Sequence, residues 1–143
     1  MNEKVVVDAS VAIKWLVPEQ DWTVARRLFE THTLIAPQLI LAECSNILWK
    51  KLRRGELTRS EIVEAAEKIA GLEVDLASLQ DLMAPATELA AYLDHPAYDC
   101  FYIALAVVEN SPLVTADERL LRVLDQRDRS LRDLCRPLGG LDL

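Results

Sequence analysis

The chain has 143 residues, of which 51% are apolar, enough for one sizeable buried core, and a single domain over 1–143 is expected. A formal net charge of −7 speaks against a protein that grips nucleic acid through a broad basic surface, although carboxylates gathered around divalent cations would be neutralised locally. No apolar run approaches the roughly 20 residues of a membrane span and the N-terminus lacks a signal-peptide pattern, so a cytoplasmic protein is expected.

The first element is Val5-Val6-Val7, a β-branched run that ends on Asp8. Three successive valines suit a strand buried on both faces, as in a parallel sheet. Such a strand delivers Asp8 to its carboxyl end, where open α/β sheets bind ligands. The competing reading is that Asp8 or Ser10 caps the helix expected over Ser10–Leu16. A second helix is expected from Trp22 to Glu30, with Val24, Leu28 and Phe29 as its apolar stripe. Thr33–Ala36 reads as a second short strand, and Pro37 stands where a long apolar helix to Arg54 would begin. Glu43 lies within that helix between Ala42 and Cys44, and a carboxylate there needs a donor, a cation or an escape to solvent. Lys50, Lys51, Arg53 and Arg54 crowd the helix end before Gly55, which is ordinary C-terminal chemistry, with phosphate contact as the lesser reading.

Thr58-Arg59-Ser60-Glu61 matches a capping box and opens a helix to Ala70. Glu73–Leu76 reads as a third strand and Leu82–Leu93 as a helix that tolerates Pro85 only near its first turn. After the break at Asp94-His95-Pro96-Ala97, Tyr98–Val108 forms the most apolar helix, which is expected to be covered on most sides. Asp99 sits in its first turn, where the helix dipole stabilises a carboxylate and aims it outward. Ser111–Thr115 is another short strand, followed by Asp117 as a natural N-cap for a helix over Glu118–Leu124. The Arg- and Asp-rich tail ends in a candidate strand at Cys135–Leu138 and a loose Gly139-Gly140.

Strands alternating with amphipathic helices predict an α/β fold: a three-layer α/β/α sandwich on a parallel sheet of four or five short strands. Right-handed crossovers bring the strand ends that lead into helices to one sheet edge. Asp8, Asp99 and Asp117 can therefore share that edge, with Glu43 reaching toward it. Clustered carboxylates are stable at neutral pH mainly with hard cations between them, for which Mg²⁺ or Mn²⁺ is the natural choice. The three cysteines, Cys44, Cys100 and Cys135, fit reduced core residues better than disulfides, and with only His32 and His95 no structural zinc site is expected.

Val-Val-Asp-Ala-Ser at 6–10, the helical Ala42-Glu43, Tyr98-Asp99-x-x-Tyr102-Ile-Ala-Leu-Ala and Val114-Thr-Ala-Asp-Glu-Arg-Leu120 together resemble the motif regions of PIN-domain ribonucleases, in particular VapC-type toxins of toxin–antitoxin pairs. The resemblance implies that Asp8, Glu43, Asp99 and Asp117 are the acidic metal-binding and catalytic residues, supported by the hydroxyls of Ser10 and Thr115. It also implies Mg²⁺-dependent hydrolysis of RNA to 5′-phosphate and 3′-hydroxyl ends. The partners it implies are a small antitoxin covering the acidic cleft and a second copy of the chain in a homodimer. A dehalogenase-like phosphatase is disfavoured because Ser10 stands where its second Asp belongs, and a receiver domain because no late strand-end Lys follows. With only four glycines, none in a phosphate-cradling loop, nucleotide-binding folds are disfavoured too. The remaining alternative is a non-catalytic PIN-like module that binds or regulates together with its small partner.

Overall fold

In the computed structural model, which describes residues 2–143, five short strands form one parallel sheet in the order β3-β2-β1-β4-β5. They are β1 (Lys4–Val7), β2 (Thr33–Pro37), β3 (Asp75–Ala77), β4 (Leu113–Thr115) and β5 (Cys135–Pro137). Val5, Val6 and Val7 are fully buried, as the unbroken valine run requires of a central strand covered on both faces. The chain winds from β1 outward through β2 to β3, then returns to the other side of β1 for β4 and β5. The order therefore reverses between β1 and β4, the place where α/β sheets open a crevice at their carboxyl ends. Asp8 follows β1 and Asp117 follows β4, so both acids stand at that crevice.

Eight α-helices flank the sheet among the described residues: α1 (Ala9–Ala12), α2 (Trp22–Thr31), α3 (Leu39–Arg53), α4 (Arg59–Ala70), α5 (Leu79–Leu93), α6 (Ala97–Glu109), α7 (Glu118–Arg127) and α8 (Arg129–Leu134). The α/β architecture is thus the expected one. Helix α6 packs on β1, β2 and β4 and presses Tyr102, Ile103, Leu105 and Ala106 into the core. Its burial is less complete than its composition predicts: Val107 and Val108 of its last turns remain more than half exposed. The expected capping box at Thr58 is present, with its side chain accepting from Glu61 N and that of Glu61 accepting from Thr58 N.

Several boundaries differ from the sequence reading. The first helix is split, α1 giving way to a 3-10 turn at Ile13–Trp15. Pro37 belongs to the end of β2, paired with Ala77, rather than to the start of α3. A proline is tolerated at a strand end, where one missing N–H leaves little of the ladder broken. The third strand falls at Asp75–Ala77, shifted toward the C-terminus. Helix α5 begins at Leu79 because Ser78 caps it, accepting from Gln80 N, which puts Pro85 in the helix interior. The carbonyl that loses its partner belongs to Asp81, on the exposed side. In the tail, α8 is capped by Asp128, and Gly139-Gly140 is not loose: it forms a 3-10 turn with fully buried Leu138. A Cβ on Gly139 would stand 3.0 Å from Asp21 Oδ2, so the tail docks closely on the loop before α2. All three cysteines are buried and free. No helix among the described residues is long and apolar enough to cross a membrane.

Candidate active site

At the β1/β4 crevice lies a cleft of about 520 Å³ lined in part by Asp8, Ser10, Glu43, Asp99 and Asp117. Four carboxylates far apart in the chain thus border one cavity, each delivered by a different element. Asp8 ends β1 and caps α1, Glu43 lies in α3, Asp99 in the first turn of α6, and Asp117 caps α7. Thr115 is the last residue of β4 and fully buried beneath the cleft.

Asp8 is the best-held of the four. Its Oδ1 accepts from Ser10 Oγ at 2.5 Å and from Val11 N at 3.3 Å, and its Oδ2 accepts from Thr115 Oγ1. Those hydroxyls accept in turn from the next loop: Ala116 N donates to Ser10 Oγ and Asp117 N to Thr115 Oγ1, both at 3.0 Å. The carboxylate is therefore the knot that ties the β1–α1 turn to the β4–α7 turn. Burial is still the larger influence, and with some repulsion from Asp117 it pushes the Asp8 pKa up to about 6 despite three favourable hydrogen bonds.

Glu43 is half-buried and its pKa is raised, first by burial and further by the charge of Asp99; a hydrogen bond from Tyr102 opposes both. The donor is the Tyr102 hydroxyl, itself buried, whose own pKa is raised by burial and by Glu43. Asp99 Oδ2 stands 2.7 Å from His95 Nε2, and because an ionised carboxylate only accepts, that nitrogen carries the proton. Asp117 uses Oδ1 to accept from Arg119 N at 3.0 Å and Leu120 N at 3.2 Å.

The sequence reading gave neither His95 nor Tyr102 a role at the site. Tyr102 stood in the motif with Asp99, three residues on and one turn further along α6, whereas His95 lies in the break before that helix and carried no periodic signal. A second difference concerns charge. Lys50 also lines the cleft, so the acids are not alone there, although it makes no ion pair with another described residue.

Among the described residues no three His, Cys, Asp or Glu side chains stand close enough to enclose one ion. The charge of Asp117 acts on Asp8 and that of Asp99 on Glu43, in each case raising the pKa of the acid acted on. Mg²⁺ usually keeps several waters and takes one or two carboxylates rather than a full protein cage, so oxygen donors in an open cleft fit it in kind.

Residues 5–125 match the family described as PIN domain. Ribonuclease VapC3 of Pyrobaculum aerophilum is 34% identical over 125 residues, covering 82% of this chain and 92% of that protein. The crystal structure of PAE2754 from the same organism superposes with a TM-score of 0.65 at 21% identity, covering 97% of this chain and 93% of that one. That of VapBC2 from Rickettsia felis, bound to a DNA fragment from their promoter, gives 0.59 at 15% identity, covering 84% and 92%. Sheet order, cleft and sequence match agree: the chain belongs to the PIN-domain family and is a relative of the VapC ribonucleases.

Proposed function

We propose that this chain is a metal-dependent endoribonuclease and the toxin of a toxin–antitoxin pair, acting on RNA in the cytoplasm. The observation that carries the reading is the convergence of four acids from four elements on one cleft, none of them ion-paired with a Lys or Arg among the described residues. The relatives named as ribonucleases support the substrate class.

Asp8, Asp99 and Asp117 would hold Mg²⁺, or Mn²⁺ in its place, with Glu43 as a further ligand or as the group that positions water. When bound, the ion supplies an activated water and charge neutralisation at a phosphodiester. The chain's own residues do the rest. Ser10 and Thr115 hold both oxygens of Asp8 and fix its direction, so the carboxylate is oriented before substrate arrives. Glu43, raised above an ordinary glutamate, is suited to accept a proton from the attacking water, and Tyr102 keeps its other oxygen aimed. Cleavage would leave 5′-phosphate and 3′-hydroxyl ends. An antitoxin segment carrying a basic residue suits an acidic cleft, and a relative named as a VapBC complex supports such a partner. The exposed apolar face around Tyr92, Val107 and Val108 would be covered in a homodimer.

The test titrates Mn²⁺ calorimetrically into wild type, Asp8→Asn and Asp99→Asn, and follows cleavage of single-stranded RNA with Mg²⁺ or EDTA. Metal binding and metal-dependent cleavage that both vanish in the variants support the reading. Wild-type protein that neither binds the ion nor cuts RNA, or variants that cut as well as wild type, would leave the non-catalytic binding module as the better description.

A further inference from the structure

An acidic cleft repels the polyanion it is proposed to cut, so some part of this chain must attract and hold the strand. Helix α3 carries a surface suited to that. Counting from Glu43, residues 46, 47 and 50 lie on the same helical face, and Asn46, Ile47 and Lys50 do line the cleft with it. One step around the helix, Trp49 is 46% exposed, with the guanidinium of Arg53 4.9 Å from its ring centroid. Asn46, Trp49, Lys50 and Arg53 follow an i, i+3, i+4, i+7 pattern and are all exposed, which makes one continuous strip.

The charges in this helix end are not equivalent. Lys51 is buried and paired with Glu19 at 3.0 Å and Glu56 at 3.4 Å, and Arg54 stands 3.6 Å from Glu56. Those two are neutralised by the protein itself. Among the described residues Lys50 and Arg53 make no ion pair, and among them Lys50 is the one Lys or Arg that lines the cleft. Favourable interaction with the helix C-terminus explains why bases gather here, but not why the unpaired ones share a face with a solvent-exposed indole.

Resting on the nuclease reading above, we infer that this strip is the track by which single-stranded RNA enters the cleft, Lys50 and Asn46 holding a backbone phosphate and Trp49 with Arg53 offering a stacking platform for a neighbouring base. The chemistry selects single strands over duplex. Aromatic rings and guanidinium planes stack on unpaired bases, whereas a base held in a duplex is already stacked on its neighbours. A strip about 10 Å long, from Glu43 to Lys50 at the helical rise, keeps the contacted phosphate near the reacting one.

The experiment measures binding of a fluorescein-labelled single-stranded oligoribonucleotide to the full chain, with Ca²⁺ replacing Mg²⁺, across a range of salt concentrations. Lys50→Gln is expected to lower the slope of log affinity against log salt by about 0.7, the signature of one lost phosphate contact on a single strand. Trp49→Ala is expected to bind roughly tenfold more weakly with the slope unchanged, and Trp49→Phe to recover most of that loss. RNA should quench the tryptophan emission of wild type far more than that of Trp49→Phe, because Trp15, one of the other two tryptophans, is buried. In cleavage assays Lys50→Gln should raise KM and largely spare kcat. Wild type that cleaves RNA while both variants bind with unchanged affinity and salt slope would overturn the track and leave the nuclease intact. Variants that instead lose a co-expressed antitoxin while binding RNA normally would assign the strip to a protein partner, also overturning it. Wild type that binds no RNA would overturn both readings.

Discussion

The raised pKa of Asp8 makes a prediction about stability that needs no substrate. In the folded chain this carboxyl titrates at about 6, against 3.8 for an unperturbed one. Below the unfolded value both states are protonated and burial costs nothing. As pH rises through that window the unfolded chain ionises first, so stability falls until the folded group also ionises, and then levels off. At about 1.4 kcal/mol per unit, the loss reaches about 3 kcal/mol above the window. Asp8→Asn removes the charge and keeps a good N-cap for Val11. It cannot accept from both Ser10 and Thr115 through its amide nitrogen, so one hydroxyl bond must be remade at a cost of about 1 kcal/mol. The net expectation is that Asp8→Asn is more stable than wild type by about 2 kcal/mol near pH 8 in EDTA, a melting shift of roughly 6 °C. Near pH 4 the advantage should disappear or reverse, since there the remade bond is uncompensated by charge relief. Urea unfolding followed by circular dichroism at both pH values measures this. A variant less stable than wild type at the higher pH, or an advantage that does not shrink at the lower one, would refute the assignment of Asp8 as a buried, destabilising charge.

Three further predictions separate structure from chemistry. Asp117→Ala should cost about 1 kcal/mol of stability through the lost cap on Arg119 N and Leu120 N, whereas Asp117→Asn should retain the fold's stability and still lose Mn²⁺ affinity; thermal melts beside calorimetry tell the two apart. Tyr102→Phe removes the donor to a half-buried carboxylate, so it should destabilise the chain by about 1 kcal/mol at neutral pH, with the deficit shrinking once Glu43 is protonated, as urea titrations at two pH values would show. The thiols of Cys44 and Cys135 are pushed up to about 12 and that of Cys100 to about 11, chiefly by burial, so none should be alkylated by iodoacetamide near neutral pH until denaturant is added; mass spectrometry reads the count directly.

What the sequence displayed and what it hid follow from the range of the forces involved. The valine run of β1, the capping box at Thr58 and the cap at Asp117 are local signals, and each appears in the structure where expected. Connection rules predict that the strand ends leading into helices share one sheet edge, but the order of the strands has no local signal and comes from the structure. Pro85 misled the reading of α5, since a helix held by Leu82, Ala86 and Leu93 against the core tolerates a missing hydrogen bond on its exposed side. In the tail the candidate strand at Cys135 appears as β5, whereas Gly139-Gly140, expected to be loose, is held in a turn behind buried Leu138, a long-range contact that local sequence does not display. At the cleft, acid positions were legible because motif spacing marks them. Their partners were not, because His95, Tyr102 and Lys50 matter through what they face across space, and one-dimensional spacing gives a helical face without naming its neighbour.

The two readings that competed from the start, helix cap and ligand, turn out not to exclude each other. Asp8 and Asp117 do cap α1 and α7, and Asp117 does so through Oδ1 alone, with Oδ2 accepting from no described donor. Capping by itself, however, does not account for the choice of residue. Asn and Ser cap about as well as Asp and carry no charge to desolvate. At Asp8 a neutral cap would satisfy Val11 without the stability lost to a buried carboxylate, yet the sequence keeps the acid and surrounds it with two hydroxyl donors that favour its ionised form. A buried anion beside a second acid that raises its pKa further, with no Lys or Arg pairing with it among the described residues, is the cost that the proposed metal ion would relieve. Under the proposed metal reading, Mn²⁺ should therefore raise the melting temperature of wild type and leave that of Asp8→Asn unchanged, and equal stabilisation of both would refute it.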